Sequence, residues 1–270
     1  VLVDSLLIGE SLKGSVTTQV VVSGSGATVR TNIGEIIDMS SMTLNAGLGQ
    51  NDPWVKANMI AYMKSDRPSF LSSRYGSEYY YKVARRLSFV GNIDDPVVDH
   101  RQCNGSDATE LAMLAAHNHK SGRDTVVSFE GSYHGQNMTS YFISALQKNH
   151  RFLSVLQDRV WFLPSPENAY SINDCSPLTE KDATILDQIR RARDRIYAVI
   201  LEPIQVNNGV NVLSKIFLQR LRNICTDNDI ALIYDEVQTA FGWLGKMSAA
   251  ERYSISPDIM AVSKGLTSGY

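Results

Sequence analysis

A chain of 270 residues, 43% of them hydrophobic, can bury one large core or a large domain with a small appendage. Its 26 basic and 28 acidic residues are interspersed and leave a net charge of −2, which gives neither the basic stripe that nucleic acid requires nor an acidic interaction tail. Cys103, Cys175 and Cys225 are too few, too scattered and odd in number for a disulfide framework, as expected in a reducing compartment. The opening Val1-Leu2-Val3-Asp4-Ser5-Leu6-Leu7-Ile8 is apolar but short, without a basic region before it or a small-residue cleavage site after it, so no secretory leader is expected. The missing initiator methionine suggests that residue 1 is not the natural start. No apolar run approaches membrane-spanning length. These features together predict a soluble, cytoplasmic globular protein.

The first fifty residues read as strands and turns: Val20-Val21-Val22 gives way to Ser23-Gly24-Ser25-Gly26, and a second run passes through Gly34-Glu35 into Ile36-Ile37-Asp38. From about Pro53 the texture changes to alternating helix and strand, which predicts an N-terminal segment over 1–52 and a large domain over 53–270. Helical periodicity covers 53–64, 76–90, 107–121, 137–149, 179–195 and 214–228. Short apolar runs over 97–103, 125–129, 160–163, 198–201, 230–234 and 259–262 read as buried strands. Strands separated by helices imply right-handed crossovers and an α/β fold with a mostly parallel central sheet flanked by helices.

The residues of chemical interest follow these runs, at the carboxyl ends where ligands gather on such sheets. After 97–103 comes Asn104-Gly105-Ser106-Asp107-Ala108-Thr109-Glu110. Asp107 with Glu110 reads as a capping box, and Gly105 and Ser106 precede it with uncovered backbone N–H groups. Such a start is a phosphate site or simply a capped helix. After 125–129, Gly131-Ser132-Tyr133-His134-Gly135 offers an aromatic ring for stacking on a flat heterocycle, and His134 for orienting it or a neighbour; a packed loop aromatic is the plainer reading. Glu202, in Glu202-Pro203-Ile204-Gln205, either faces a site and pairs with a cation or is a capping or solvated glutamate.

Asp235 ends an apolar strand in Leu232-Ile233-Tyr234-Asp235-Glu236-Val237-Gln238, where a carboxylate needs a cationic partner. Lys264, in Ser263-Lys264-Gly265-Leu266, emerges after the last strand at the same sheet edge. An acid at a strand end and a lysine in a short glycine-bearing loop are what pyridoxal 5'-phosphate (PLP) requires. The lysine holds the aldehyde as a Schiff base, and the acid keeps the pyridine nitrogen protonated so that the ring accepts electrons. Val237 is placed to support the ring face opposite Tyr133, and Gln238 to reach its phenolic oxygen.

The ordered set Gly-Ser-Asp-Ala, Tyr-His-Gly, Glu-Pro-Ile-Gln, Asp-Glu-Val-Gln and Ser-Lys-Gly resembles the class III (omega) aminotransferases of PLP fold type I. The likeness extends to Gly34–Asp38 and to Leu48-Gly49-Gln50-Asn51-Asp52-Pro53, which look like that family's N-terminal strand pair, part of its small domain, and the segment leading into the large domain. The resemblance implies Gly105 and Ser106 on the phosphate, Tyr133 stacked on the ring, Asp235 on its nitrogen, Val237 behind it and Gln238 near its oxygen. It also implies Glu202 on the substrate side and Lys264 as Schiff base and proton shuttle. The activity implied is transfer of an amino group between a small-molecule amino acid or amine, ω-amino compounds included, and an oxo acid or aldehyde, by a homodimer with sites at the interface. An aminomutase, a decarboxylase or an α-oxoamine synthase-like enzyme of the same fold is the alternative, as is a non-catalytic subunit, because fold does not fix reaction type.

The sequence departs from the family pattern in three places. Where the family usually reads Thr-Gly-Phe-Gly-Arg-Thr-Gly, this chain has Thr239-Ala240-Phe241-Gly242-Trp243-Leu244-Gly245, and Gln50 stands where a histidine is common. The family's C-terminal small domain, with an arginine for the substrate carboxylate and a threonine lent to the partner's phosphate, is expected after Lys264 and is absent from this chain. Other signals carry little. Gly24-Ser25-Gly26 lacks the strand-turn-helix context of a dinucleotide site. His117 and His119 point in different directions on a helix, so no metal site is expected.

Overall fold

The computed structural model of the chain describes residues 20–69, 71–72, 74–119, 122–146, 158–174 and 176–270. The described residues form two compact units, one made of those before Leu71 with Thr267–Tyr270, the other of Leu71–Leu266.

The first unit opens with an antiparallel meander of β1 (Val21–Ser25), β2 (Thr28–Thr31) and β3 (Gly34–Ile37). Ser25 pairs with Thr28 across a two-residue turn whose first position, Gly26, has φ +56°, a conformation that glycine adopts without steric cost. The sequence reading finds the flanking runs but not β2. Its signal is the alternation Thr28-Val29-Arg30-Thr31, with Val29 and Thr31 buried and the other two exposed. Helix α1 (Pro53–Met63) starts where Asp52 accepts a hydrogen bond from Val55 N at 2.9 Å, with Pro53 at a position that needs no donor. It buries none of its residues and leaves Trp54 and Met63 more than two-thirds exposed.

The second unit carries the parallel sheet. Its strands are β4 (Thr125–Phe129), β5 (Val160–Leu163), β6 (Ile196–Leu201), β9 (Ala231–Asp235) and β10 (Ile259–Ala261), in the order β10-β9-β6-β4-β5, every neighbouring pair parallel. A short antiparallel pair, β7 (Ile204–Gln205) and β8 (Asn211–Val212), follows β6. Its described residues also form helices α2 (Glu78–Leu87), α3 (Gly105–His119), α4 (Met138–Phe142), α5 (Glu180–Arg191), α6 (Lys215–Asp227) and α7 (Ala249–Tyr253).

Strand alternation sorts the core into two layers. Leu232 and Tyr234 of β9 pack with Ile185, Ile189, Phe217 and Leu221 of α5 and α6. Ala231 and Ile233 pack on the opposite face with Ala112, Met113 and Ala116 of α3. Asp235 continues the second series, so period-2 alternation aims it toward the α3 face. Between β4 and β6 the chain order reverses, the crevice position where doubly wound sheets bind ligands.

The run 97–103 is not a strand. Asp99 accepts a hydrogen bond from Arg101 N at 3.0 Å, a local turn that competes with strand pairing, and Val97 is almost fully exposed just after Pro96. The approach to α3 is an irregular loop instead. Helix α5 ends at Arg191 rather than at 195, and α4 is five residues long, with 147–149 of its expected span outside the described residues.

Arg123 staples the sheet's amino edge. Its guanidinium donates to the carbonyls of Ile196, Asp229 and Asn228 at 2.9–3.0 Å, joining β6 to the end of α6. Arg123→Ala should therefore destabilise by about 2 kcal/mol, the scale for hydrogen bonds to a charged group. A fall of about 4–8 °C in melting temperature, followed by circular dichroism, is expected.

Candidate active site

The phosphate-type cradle begins at α3. Asn104, not Asp107, is its cap: Asn104 Oδ1 accepts from Asp107 N at 3.0 Å, while Asp107 Oδ2 accepts from Cys103 N at 3.2 Å. The cap thus lies three residues nearer the N-terminus than the sequence spacing predicts, which makes Gly105 and Ser106 the first helical residues. Their N–H groups precede any intrahelical acceptor and stand at the positive end of the helix. Glu110 is used elsewhere, its Oε1 accepting from Thr139 N at 2.6 Å and Ser140 N at 3.3 Å at the start of α4. Asn137 Nδ2 donates to Asp107 Oδ1 at 2.5 Å. These contacts bring the loop after β4 onto Ser106, whose Oγ accepts from Gln136 N at 3.1 Å. Gly135, at φ +129°, permits the approach, since a Cβ there would lie 2.4 Å from Ser106 Oγ.

Asp235 is buried and uses both carboxylate oxygens. Oδ2 accepts from His134 Nδ1 at 2.7 Å, and Oδ1 accepts from Val237 N at 3.1 Å. Because a carboxylate only accepts, Nδ1 carries a proton; Nε2 is buried and has no partner among the described residues. His134 is held in turn through its own N–H, which donates to Ser144 Oγ at 2.7 Å. Val237 packs on the cradle: a Cβ on Gly105 would stand 2.8 Å from Val237 Cγ1. Gln238 is buried beside it, with its amide oxygen unpartnered among the described residues.

Glu202 is buried after β6 and accepts from Tyr133 N at 3.1 Å, bridging the two strands at the chain-order reversal. Burial, reinforced by the Asp235 charge, holds its carboxyl well above the usual glutamate range. Tyr133 is likewise pushed up, first by burial and then by Asp235. Lys264 opens a short 3₁₀ turn (Lys264–Leu266) after β10, whose Ala261 pairs with Asp235. Burial lowers the Lys264 pKa, and the opposing charges of Asp235 and Glu202 offset this only in part. An amine whose proton burial makes easier to lose than an exposed lysine's suits a nucleophile and proton carrier.

Every residue singled out in the sequence for this chemistry lies on this one edge of the second unit: Gly105, Ser106, Tyr133, His134, Glu202, Asp235, Val237, Gln238 and Lys264. One residue that the sequence reading passed over is Glu236. Its buried carboxylate accepts from Thr239 Oγ1 at 2.9 Å and from Ala249 N and Ala250 N at 2.6 and 2.8 Å, and burial raises its pKa. The local clue was Thr239 three positions on; the helix start it caps is too distant to read.

The site suits an anionic, flat, nitrogen-bearing aldehyde. Helix amides can take its phosphate, a buried carboxylate its ring nitrogen and a lysine its carbonyl carbon, while Gln238 Oε1 and His134 Nε2 are buried without a partner among the described residues. These features define a doubly wound α/β protein of the PLP-binding class.

The chain belongs to the class-III aminotransferase family, whose model, "Aminotransferase class-III", matches residues 13–270. It is similar to an acetylornithine aminotransferase of Methanosarcina mazei, 31% identical over 93% of this chain and 58% of that protein. An alanine/serine racemase of Pyrococcus horikoshii is 29% identical over 80% of this chain and 45% of the relative. Among solved structures, an amine transaminase from an uncultivated Pseudomonas species, in its PLP-bound form, superposes with a TM-score of 0.80 at 26% identity, over 94% of this chain and 60% of that one. The fold is therefore that of the fold-type I PLP enzymes. The chain spans about half the length of the curated relatives it matches, 40–58% for the first three.

Proposed function

We propose that the protein is a PLP-dependent aminotransferase that moves an amino group between a small amino acid or amine, ω-amino compounds included, and an oxo acid or aldehyde. The observation that carries this reading is the convergence of Asp235, Lys264 and Glu202 with the α3 amides on one sheet edge. When bound, PLP supplies the electron sink that makes a proton on the donor's Cα removable. Gly105 and Ser106 would hold its phosphate through backbone N–H groups. Asp235, kept in orientation by His134 and Val237 N, would hold the proton on the ring nitrogen. Val237 and Tyr133 would flank the ring, and Gln238 would lie at its oxygen. Lys264 Nζ would bind the aldehyde carbon and, once displaced by the donor's amine, carry the proton from Cα. Glu202 would line the substrate side.

The same reading takes the protein as a cytoplasmic homodimer with sites at the interface, and takes 1–52 with the small domain and 53–270 as the PLP-binding domain. No helix among the described residues is long and apolar enough to cross a membrane. Helix α1, with Trp54 and Met63 more than two-thirds exposed, is a surface of the kind that a partner covers, and sedimentation would show the assembly.

The racemase relative favours one second reading, proton return to Cα without amino transfer. The whole protein, incubated with PLP, a panel of amino donors and 2-oxoglutarate or pyruvate, should form the new amino acid. Racemised donor or released CO₂ with no amino transfer would refute the transaminase reading.

A further inference from the structure

We infer that Phe241 is a positioning residue for Lys264, a role that rests on the place proposed above for that lysine. Phe241 has φ +70°, the left-handed region in which a bulky L-residue is strained. Strained backbone persists only where its surroundings over-determine it, and it gathers at functional sites. Here the surroundings are explicit. Phe241 N donates to Met247 O at 2.7 Å, and Thr239 N and Ala240 N donate to Glu236 O. The loop from Thr239 to Ser248 is gripped at both ends by the single Glu236 carboxylate, through Thr239 Oγ1 and the amides of Ala249 and Ala250.

What the strain secures is a contact with the residue after the lysine. A Cβ on Gly265 would lie 3.2 Å from Phe241 Cβ and 3.5 Å from both Phe241 Cδ2 and Ala240 O, so a side chain at 265 would press on Phe241, which packs directly against this glycine. The turn it abuts is closed by Leu266 N donating to Ser263 O at 2.7 Å. Asp235 from β9 and Glu202 after β6 act on the amine's charge, while Tyr133 and His134 after β4 act on those two carboxyl groups, through Tyr133 N on Glu202 and His134 Nδ1 on Asp235. Phe241 fixes the backbone that carries it. Because Glu236 directly follows Asp235, one buried carboxylate ties the acid and the lysine turn into a single unit.

The test measures Lys264 itself in the whole, cofactor-free protein. Reductive methylation with formaldehyde and cyanoborohydride is run across pH, and labelling at each lysine is read by peptide mass spectrometry. Phe241→Gly relieves the strain but empties the contact. The Lys264 labelling midpoint should rise by about one pH unit toward that of exposed lysines, a roughly tenfold loss of labelling at fixed pH below the midpoint. Phe241→Leu, still bulky, should keep the original profile. If Phe241→Gly does not fold, Gly265→Ala presses on the same contact and should move the midpoint by a similar amount. An unchanged Lys264 profile in the folded variant overturns the proposal, whatever happens to the melting temperature. Labelling needs no PLP, so this outcome is separate from the cofactor assay: covalent PLP retained after Lys264→Ala would sink the functional reading and leave the Phe241 contact standing.

Discussion

On the proposed function, Lys264→Ala should abolish the visible absorbance of covalently held PLP and lower turnover by about 10⁴-fold or more, because one change removes both the proposed covalent anchor and the proposed proton carrier. A positioned general base alone contributes about 10²–10⁴-fold. The fold should not suffer. Lys264 makes its contribution on a half-buried sheet edge where desolvation already disfavours its charge, so removing it relieves a cost. The melting temperature is expected to hold or rise while the absorbance disappears. Lys181→Ala, at an exposed lysine of α5 facing Glu167, should leave both absorbance and turnover unchanged. Covalently bound PLP surviving in the Lys264 variant would mean that another amine holds it, and the assignment would fall. Burial lowers the Lys264 pKa, so its amine loses its proton at a lower pH than an exposed lysine. Any pH profile of turnover that reports this group should therefore rise with pH earlier than an ordinary lysine would allow.

The candidate site is more legible in the sequence than its scaffolding, and the reason is locality. Lys264, Asp235 and Glu202 each sit at the end of an apolar run, so period and composition place them at strand ends without knowledge of pairing. The parallel strands over 125–129 and 160–163 match the structure residue for residue. The run 97–103 fails because Asp99 turns the backbone before any neighbour can pair with it. Asp107 and Glu110 look like a capping box because their spacing is right, yet Asn104 takes the cap and Glu110 serves α4, a partner invisible along the chain. The bonds that orient the chemistry are longer-range still. His134 meets Asp235 across a separation of 101 residues, and Tyr133 meets Glu202 across 69. Only the sheet order, which sets β4 beside β6 and β6 beside β9, makes those meetings possible. Family resemblance supplied which residues gather; the fold supplied what holds them.

Asp235→Asn should cut turnover by about 10²–10³-fold, the scale for losing one preorganised electrostatic partner, while PLP still binds through Lys264 and the α3 amides. The substitution preserves shape but not hydrogen-bond capacity. In the wild type, Oδ2 accepts from His134 Nδ1 and Oδ1 from Val237 N. Asparagine offers one acceptor oxygen for these two donors and turns an NH₂ toward the other, so either His134 or Val237 N loses its partner. A loss of about 1–3 kcal/mol in stability is expected from the unsatisfied buried group. Stability loss alone does not reproduce the functional signature. Ser144→Ala removes the acceptor for His134 N, 2.7 Å away, and is expected to cost stability on a similar scale without touching the Asp235 carboxylate. If Ser144→Ala slows turnover as much as Asp235→Asn, the acid's role is structural. If Asp235→Asn alone shows the large fall in kcat, with KM and PLP binding little changed, the negative charge acts at the ring nitrogen. An Asp235→Asn enzyme within threefold of wild-type kcat would remove Asp235 from the chemistry altogether, leaving Lys264 without the acid that makes its carbon anchor an electron sink.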